Sequence, residues 1–314
     1  MSLDFEKEAA DIEAKIAEFK TQNPEPTGVL VKELNRLEAE RSDMLKKIYS
    51  SLTPWQTVQV ARHPERPLIR DFIQGICSEF IELHGDRLFG DDHGMIGGFA
   101  MIDDHRVMVI GQQKGKDLEE KIKCNFGQAC PEGYRKALRL MKLAEKFNLP
   151  VITFIDTPGA FPGRDAEERG QAEAIARNLL EMSALKTPVI ALVTGEGGSG
   201  GAIGIGVGDV VLMLSNAVYS VISPEGCASI LWRDGTKADE AANALKITAK
   251  SILQLKIIDE IIPEPVGGAH RDYAGTMKAT KKVLLKHITS LKKITPRKLS
   301  IRRFEKFAAM GRFK

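Results

Sequence analysis

The chain has 314 residues, of which 43% are hydrophobic and 28% charged, as in ordinary soluble globular proteins. Its length allows one or two domains with a sizeable core. No apolar stretch approaches the span of a membrane helix, and the first 20 residues are charged throughout, so we expect neither a membrane segment nor a signal peptide.

Cysteine spacing bears on the cellular compartment and on metal binding. The chain has four cysteines and no C-x-x-C pair: Cys77, Cys124, Cys130 and Cys227. This spacing does not favour a four-cysteine zinc site, and it predicts a reduced, cytoplasmic protein that holds no metal.

The net charge of +3 conceals a basic C-terminal segment. Between Lys281 and Lys314 the sequence has twelve Lys or Arg residues and one acid, Glu305. Such a segment is typical of proteins with acidic or phosphate-rich partners, and it is equally typical of a solvated tail. No RNA-binding or helix-turn-helix signature accompanies it, so nucleic acid is not favoured as a partner.

The N-terminal pattern predicts an antiparallel helical hairpin. Residues 4–20 and 29–51 each place apolar side chains along one face, and residues 21–28 between them are rich in helix breakers. We assign residues 1–55 to this hairpin, residues 56–290 to the main domain and residues 291–314 to the basic tail.

The next stretch predicts one helix and one β-hairpin. Residues 52–67 contain three prolines and are expected to be irregular. Residues 68–84 have a helical apolar period, which Gly85 is placed to end. Residues 97–102 and 106–110 predict two strands joined by a tight turn.

From residue 131 onward, helices and strands alternate, which indicates parallel βαβ units. The strands are predicted at residues 151–156, 189–194, 210–214 and 218–222. The helices are predicted at residues 131–149, 166–185, 226–231 and 238–255, with a further short helix opened by the glycine run after residue 194.

Two successive strands end in glycine-bearing loops. The strand at 151–156 leads into D-T-P-G-A-F-P-G at 156–163, and the strand at 189–194 leads into G-E-G-G-S-G-G-A at 195–202. Ligands in open α/β sheets bind beyond the carboxyl ends of the strands, so we expect one shared site. Glycine allows backbone N–H groups to approach a ligand closely, which favours an anion or oxyanion site made from backbone.

Three other interpretations of the glycine run compete with this one. The run fits the dinucleotide fingerprint G-x-G-x-x-G, but the next strand follows too soon for a crossover helix, and position 220 is a serine. A phosphate-binding P-loop would need Lys-Ser or Lys-Thr after the glycines. The glycines could also serve only to let a helix pack closely on the sheet.

The combined motifs resemble the carboxyltransferase α-subunit family of bacterial-type acetyl-CoA carboxylase. The resemblance extends from the N-terminal helices to about residue 275. It rests on D-T-P-G-A at 156–160, E-R-G-Q at 168–171, G-E-G-G-S-G-G-A at 195–202, Y-S-V-I-S-P-E-G-C-A at 219–228, P-E-G-Y-R-K-A-L-R-L at 131–140 and I-I-P-E-P at 261–265.

The resemblance implies an α/β, crotonase-like fold of repeated ββα units behind the N-terminal hairpin. It implies that this chain and a β subunit of similar fold transfer the carboxyl group of carboxybiotin to acetyl-CoA, giving malonyl-CoA. It implies too that the β subunit carries the zinc and that two α and two β subunits assemble. Biotin is bound to a separate biotin carboxyl carrier protein and is carboxylated by biotin carboxylase, so no covalent cofactor is expected in this chain.

The resemblance also implies where the chemistry takes place. Backbone N–H groups within Gly197–Ala202, matching Gly200 and Gly201, would stabilise the oxyanion of the biotin ureido group. The expected lining of the biotin and acyl-CoA pocket is Gly197, Gly198, Ser199, Ala202, Gly159 and Ala160. Ser199 is expected to form a turn rather than act as a nucleophile.

Two features of the neighbouring sequence leave alternatives open. Arg164 and Arg169 could bind phosphate or carboxylate groups, or could pair with the acids around them. Residues 163–168 depart from the small or apolar pair that is common after the glycine in this family.

The alternatives to the main prediction are another crotonase-fold acyl-CoA enzyme, such as a hydratase or a carboxylase of another acyl-CoA, and a non-catalytic partner of the β subunit.

Overall fold

The computed structural model describes residues 3–311, and within them eight strands form one mixed sheet. The strands are β1 (Glu79–Glu82), β2 (Met95–Ile102), β3 (His105–Gln112), β4 (Val151–Thr157), β5 (Val189–Gly198), β6 (Val210–Leu214), β7 (Val218–Ser220) and β8 (Glu260–Ile262). Their order is β1-β2-β3-β4-β5-β6-β8, and β7 pairs with the end of β5.

Helices precede, connect and follow these strands. They are α1 (Lys7–Gln22), α2 (Val29–Ser50), α3 (Pro54–Ala61), α4 (Ile69–Ile76), α5 (Leu118–Lys123), α6 (Pro131–Lys146), α7 (Arg164–Glu168), α8 (Gln171–Ala184), α9 (Ser199–Ile203), α10 (Pro224–Trp232), α11 (Ala238–Leu245), α12 (Ala249–Gln254), α13 (Tyr273–Leu291) and α14 (Pro296–Ala308). Short 3-10 turns lie at Asp4–Glu6, Asn125–Gly127 and Gly235–Lys237.

The sheet has an antiparallel edge and a parallel centre. β1, β2 and β3 pair antiparallel, whereas β3, β4, β5, β6 and β8 pair parallel. Every residue of β4 and of β6 is buried, as expected of parallel strands covered on both faces, which read as continuous apolar runs. The predicted α/β alternation is therefore confirmed, and the carboxyl ends of the parallel strands share one edge.

The N-terminal helical hairpin is also confirmed. Contacts run from Glu6, directly before α1, with Tyr49 on α2 at one end to Lys20 with Glu38 at the other, so the two helices are antiparallel. Their buried apolar side chains pack on each other. Arg271 ties the pair to the main domain, because its guanidinium bonds the carboxylates of Glu6 and Glu13.

Two predictions between residues 52 and 85 are wrong. The segment expected to be irregular contains α3, because Pro54 occupies the first helical turn and Thr53 caps the helix by accepting from the Gln56 N–H. The helix expected to continue to residue 84 ends at Ile76, and residues 79–82 pair with β2 instead. Tertiary pairing with a sheet edge has overridden the helical period.

Three later boundaries also differ from prediction. Gly170 adopts φ +82° and divides the helix expected at 166–185 into α7 and α8. Lys246, at φ +53°, ends α11 and separates it from α12. The first part of the glycine run continues β5 as far as Gly198, because residues 196–198 pair with β7.

The basic C-terminal segment contains α14, which packs on the domain. Leu299 and Arg303 on this helix are buried. Arg303 donates hydrogen bonds to the carbonyls of Met182, Leu185 and Thr187 and to the carboxylate of Asp209. The alternative of a solvated tail is therefore wrong for residues 296–308. Within residues 3–311, no helix is both long and apolar enough to cross a bilayer.

Candidate functional site

The carboxyl ends of β4 and β5 lie side by side, as predicted. Thr157 pairs with Gly197 after a shift in register. An added Cβ at Gly198 would lie 2.3 Å from the Pro158 carbonyl oxygen, and one at Gly201 would lie 2.5 Å from the carbonyl carbon of Gly159. These distances exclude any side chain, so the two glycine loops touch through their backbones.

The first turn of α9 presents backbone N–H groups at this junction. The first N–H groups of a helix have no acceptor within it, and Gly198, the N-cap, has no side chain to accept from them. The N–H groups of Ser199, Gly200 and Gly201 are therefore available at the end of β5. Ser199 itself is exposed and adopts φ +49°, a left-handed conformation at the turn from strand to helix.

The predicted pocket residues differ in their surroundings. An added Cβ at Gly159 would meet no atom within 4 Å, and one at Gly200 would meet only Ile175 Cδ1 at 3.5 Å. Space is therefore open beside these two positions. Gly197 packs on the Tyr219 ring, which an added Cβ would approach to 2.7 Å.

Ala160 and Ala202 were both predicted to line the pocket. Ala160 is partly exposed and packs against the main core cluster. The Ala202 side chain is fully buried inside that cluster, so only the backbone of this residue is left to face a ligand.

A partly buried charge cluster, formed by Lys114, Asp156, Glu196 and Arg62, lies beside the glycine run. Lys114 Nζ is 2.7 Å from Asp156 Oδ1 and 3.1 Å from Glu196 Oε2. Asp156 Oδ1 also accepts from the Glu196 N–H at 2.9 Å, and Arg62 Nε donates to Glu196 Oε1 at 2.7 Å. The cluster therefore joins the ends of β4 and β5 just before the glycines.

Opposite charges in this cluster stabilise one another in their ionised forms. Burial would raise the pKa of the Glu196 carboxyl, but the charges of Lys114 and Arg62 outweigh it and hold that pKa below its usual value. Burial would lower the pKa of Lys114, but Asp156 and Glu196 outweigh it and hold that pKa above its usual value. Lys114 and Glu196 are therefore both ionised at neutral pH.

The arginines beside the first loop pair with neighbouring acids. Arg164 Nε donates to Glu168 at 2.9 Å on the surface. Arg169 donates to Asp165 and to Glu132. Of the two predicted alternatives, the structure therefore shows local ion pairing. Across residues 3–311, no group of three or more His, Cys, Asp or Glu side chains is placed to hold a metal ion.

Residues 2–311 match a family model described as acetyl co-enzyme A carboxylase carboxyltransferase-like. The chain belongs to this family. It is 54% identical over 314 residues to the acetyl-coenzyme A carboxylase carboxyl transferase subunit alpha of Geobacter metallireducens, covering 99% of this chain and 98% of that protein. It is also 54% identical over 313 residues to the protein of that name from Francisella tularensis subsp. tularensis (strain FSC 198), with the same coverage.

Solved structures of carboxyltransferases share the fold. The transcarboxylase 12S core superposes with a TM-score of 0.58 at 21% identity, over 71% of this chain and 42% of that one. The β subunit of Pseudomonas aeruginosa geranyl-CoA carboxylase gives a TM-score of 0.58 at 17% identity, over 78% and 46%. The crotonase-like fold implied by the motifs is confirmed. Because the chain belongs to a family of carboxyltransferases, the hydratase alternative is not favoured.

Sequence reasoning missed several residues of the site. It placed the glycine loops together but gave no role to Arg62, Gln112 or Lys114. The signal available for two of them was the polar run Q-Q-K-G at 112–115, directly after a predicted strand. Because β3 is parallel to β4, its carboxyl end reaches the same edge of the sheet.

Proposed function

We propose that this chain is the carboxyltransferase α subunit of acetyl-CoA carboxylase and, with a β subunit, transfers the carboxyl group of carboxybiotin to acetyl-CoA to give malonyl-CoA. The observation that carries the proposal is the 54% identity, over nearly the whole of both chains, to subunits named for this activity. The two backbone loops at adjoining strand ends support it.

We propose further that the N–H groups of Gly200 and Gly201 form an oxyanion site. Carboxybiotin supplies the transferred carboxyl group, and charge develops on its ureido oxygen as that group leaves. Fixed N–H donors aimed at such an oxygen stabilise the charge without reorganising, and one lost donor costs on the order of 100- to 1,000-fold in kcat. The donors in α9 suit this role, because two backbone contacts with the first loop hold them in place.

The β subunit is proposed as the obligate partner. The names of the relatives, which describe a subunit, support this proposal. Exposed apolar side chains support it too: Val221 follows β7 and is 79% exposed, and Ile230 and Leu231 on α10 are 72% and 63% exposed. Solvent-exposed groups of this kind are typical of a surface that a partner covers.

The remaining components are proposed from the family. The α and β subunits are expected to form a heterotetramer of two of each, with zinc in the β subunit. Biotin is expected on its carrier protein, and biotin carboxylase in the full complex. The four cysteines of this chain are free thiols in the structure, which is consistent with the proposed cytoplasmic location.

Malonyl-CoA formation tests the proposed function directly. Acetyl-CoA and carboxybiotin would be supplied to this chain alone, to a zinc-bearing β subunit alone, and to the two together. We expect product only from the mixture. Product from this chain alone, or none with any β subunit that binds it, would contradict the proposal. The alternative of a non-catalytic partner predicts instead that mixtures keep full activity after substitution of Gly201.

A further inference from the structure

Gln112 bridges the two loops of the candidate site through one buried amide. It is the last residue of β3, and it is 1% exposed. Its Oε1 accepts from the Asp156 N–H at 3.2 Å, and its Nε2 donates to the Gly201 carbonyl at 2.9 Å. The backbone ladder between β3 and β4 ends at the pair Gly111 and Phe154, so the side chain extends this pairing to the site.

The Gly201 carbonyl has a different kind of hydrogen-bond donor from the carbonyls of its neighbours in α9. The last carbonyls of a helix have no partner within it. Those of Gly200, Ala202 and Ile203 accept from backbone N–H groups of residues 204–206, which follow directly in the chain. The Gly201 carbonyl accepts from Gln112, which lies 89 residues away. One carbonyl of the proposed donor residues is therefore oriented from outside the helix.

The hydrogen bond from Gln112 matters because residue 201 is a glycine. Glycine has the greatest backbone freedom of any residue, and α9 has only five residues, too few to be stable alone. Gly201 contacts the Gly159 backbone on its α-carbon side and the Gln112 amide at its carbonyl. The two contacts together define the orientation of the peptide groups that flank Gly201.

We propose that Gln112 is a positioning residue for the carboxyltransferase reaction, holding the Gly201 backbone so that its N–H points at the developing oxyanion. The inference rests on the proposed function. Gln112 does not touch substrate; it acts through Gly201 and, by its bond to Asp156, keeps the first loop in register with α9.

The test compares variants of this chain in complex with the β subunit. Gln112→Met keeps the side-chain length and removes both hydrogen bonds. Because misplacing a catalytic group by about 1 Å can cost 100-fold, we expect kcat to fall on the order of 10- to 100-fold while KM for acetyl-CoA is kept. Gln113→Met is the matched control: Gln113 is 2% exposed, but its amide donates to Glu120 instead. We expect it to retain wild-type kcat.

Gln112→Glu adds a readout that a purely structural role would not produce. The glutamate still accepts from the Asp156 N–H, but when ionised it has no proton to donate to the Gly201 carbonyl. At this position, which is 1% exposed, burial raises the pKa of a carboxyl above its usual range. We therefore expect activity relative to wild type to rise as pH falls from about 8 to about 6, where the protonated carboxyl donates again.

Hydrogen exchange of residues 196–206 provides a readout independent of activity. We expect faster exchange in this segment with Gln112→Met than with Gln113→Met. An assembled Gln112→Met complex with wild-type kcat, or a loss no greater than that of Gln113→Met, would overturn the inference. If the wild-type mixture made no malonyl-CoA, the proposed function would be refuted, and unchanged exchange in Gln112→Met would then overturn this inference separately.

Discussion

Replacing Gly201 with alanine displaces the proposed oxyanion donors by a predictable amount. The new Cβ would lie 2.5 Å from the Gly159 carbonyl carbon, 2.7 Å from its oxygen and 2.8 Å from the Ala160 nitrogen. All three are backbone atoms, which cannot turn away as the end of a flexible side chain can. Real Cβ atoms essentially never come within 3.0 Å, so the two loops must separate by about half an ångström or more.

The kinetic effect follows from this separation. Misplacing a catalytic group by about 1 Å can cost on the order of 100-fold in rate, and losing one oxyanion donor costs about 100- to 1,000-fold in kcat. A shift of half an ångström to one ångström at Gly201 is therefore expected to lower kcat on the order of 10- to 100-fold. Overpacking costs about 1–3 kcal/mol of stability, which a typical fold with 5–15 kcal/mol survives.

The assay is malonyl-CoA formation by the complex at saturating acetyl-CoA, with assembly checked by size-exclusion chromatography and stability by urea unfolding. Gly208→Ala is the matched control. Its Cβ would lie 2.8 Å from the Val210 carbonyl oxygen and 3.2 Å from that of Val189. Val189 begins β5, so this clash lies at the opposite end of the parallel strands. We expect Gly208→Ala to lose stability but to keep its kcat.

Two outcomes would refute the reasoning. If Gly201→Ala assembled with β subunit and kept the wild-type kcat, the placement of this backbone would not matter to the reaction. If Gly208→Ala lost as much kcat as Gly201→Ala at equal folded fraction, the loss would reflect general destabilisation.

Three further predictions concern buried charge. Arg303→Leu leaves the Asp209 carboxylate, 4% exposed, without its cation; we expect a loss of about 3–5 kcal/mol in urea unfolding, and an unchanged midpoint would contradict this. Lys114→Met leaves Asp156 and Glu196 facing each other, so its stability relative to wild type should recover as pH falls from about 8 to about 5; a pH-independent deficit would count against it. Burial, with the charges of His63 and Arg271, lowers the pKa of His270 from 6.5 to about 4. As the pH falls, this histidine is protonated first in the unfolded chain. Its contribution to the free energy of unfolding is therefore complete above about pH 6.5 and is lost towards about pH 4. His270→Gln should therefore lose less stability than wild type between about pH 7 and 5, and equal losses would refute this assignment.

Local pattern was sufficient for most of the fold. Apolar runs of strand length predicted the parallel strands, and helical periods predicted the hairpin formed by α1 and α2. Prediction failed where a distant partner decides the outcome. The period through residues 76–80 is helical, yet residues 79–82 are a strand because β2 offers them an edge. Residues 52–67 contain three prolines, yet residues 54–61 are helical, because Pro54 lies in the first turn, where a helix tolerates proline.

At the site, the sequence alone determined which backbone can approach a ligand. Glycine runs at two successive strand ends permit close contact, and the motif resemblance assigned Gly200 and Gly201 to the chemistry. The tertiary structure decided what holds that backbone: Gln112 bonds Gly201 across 89 residues, and Arg303 bonds Met182 across 121. Such polar contacts leave no periodic trace in the sequence, because hydrogen-bond partners are chosen by position in space, and only the folded sheet brings the ends of β3, β4 and β5 to one edge.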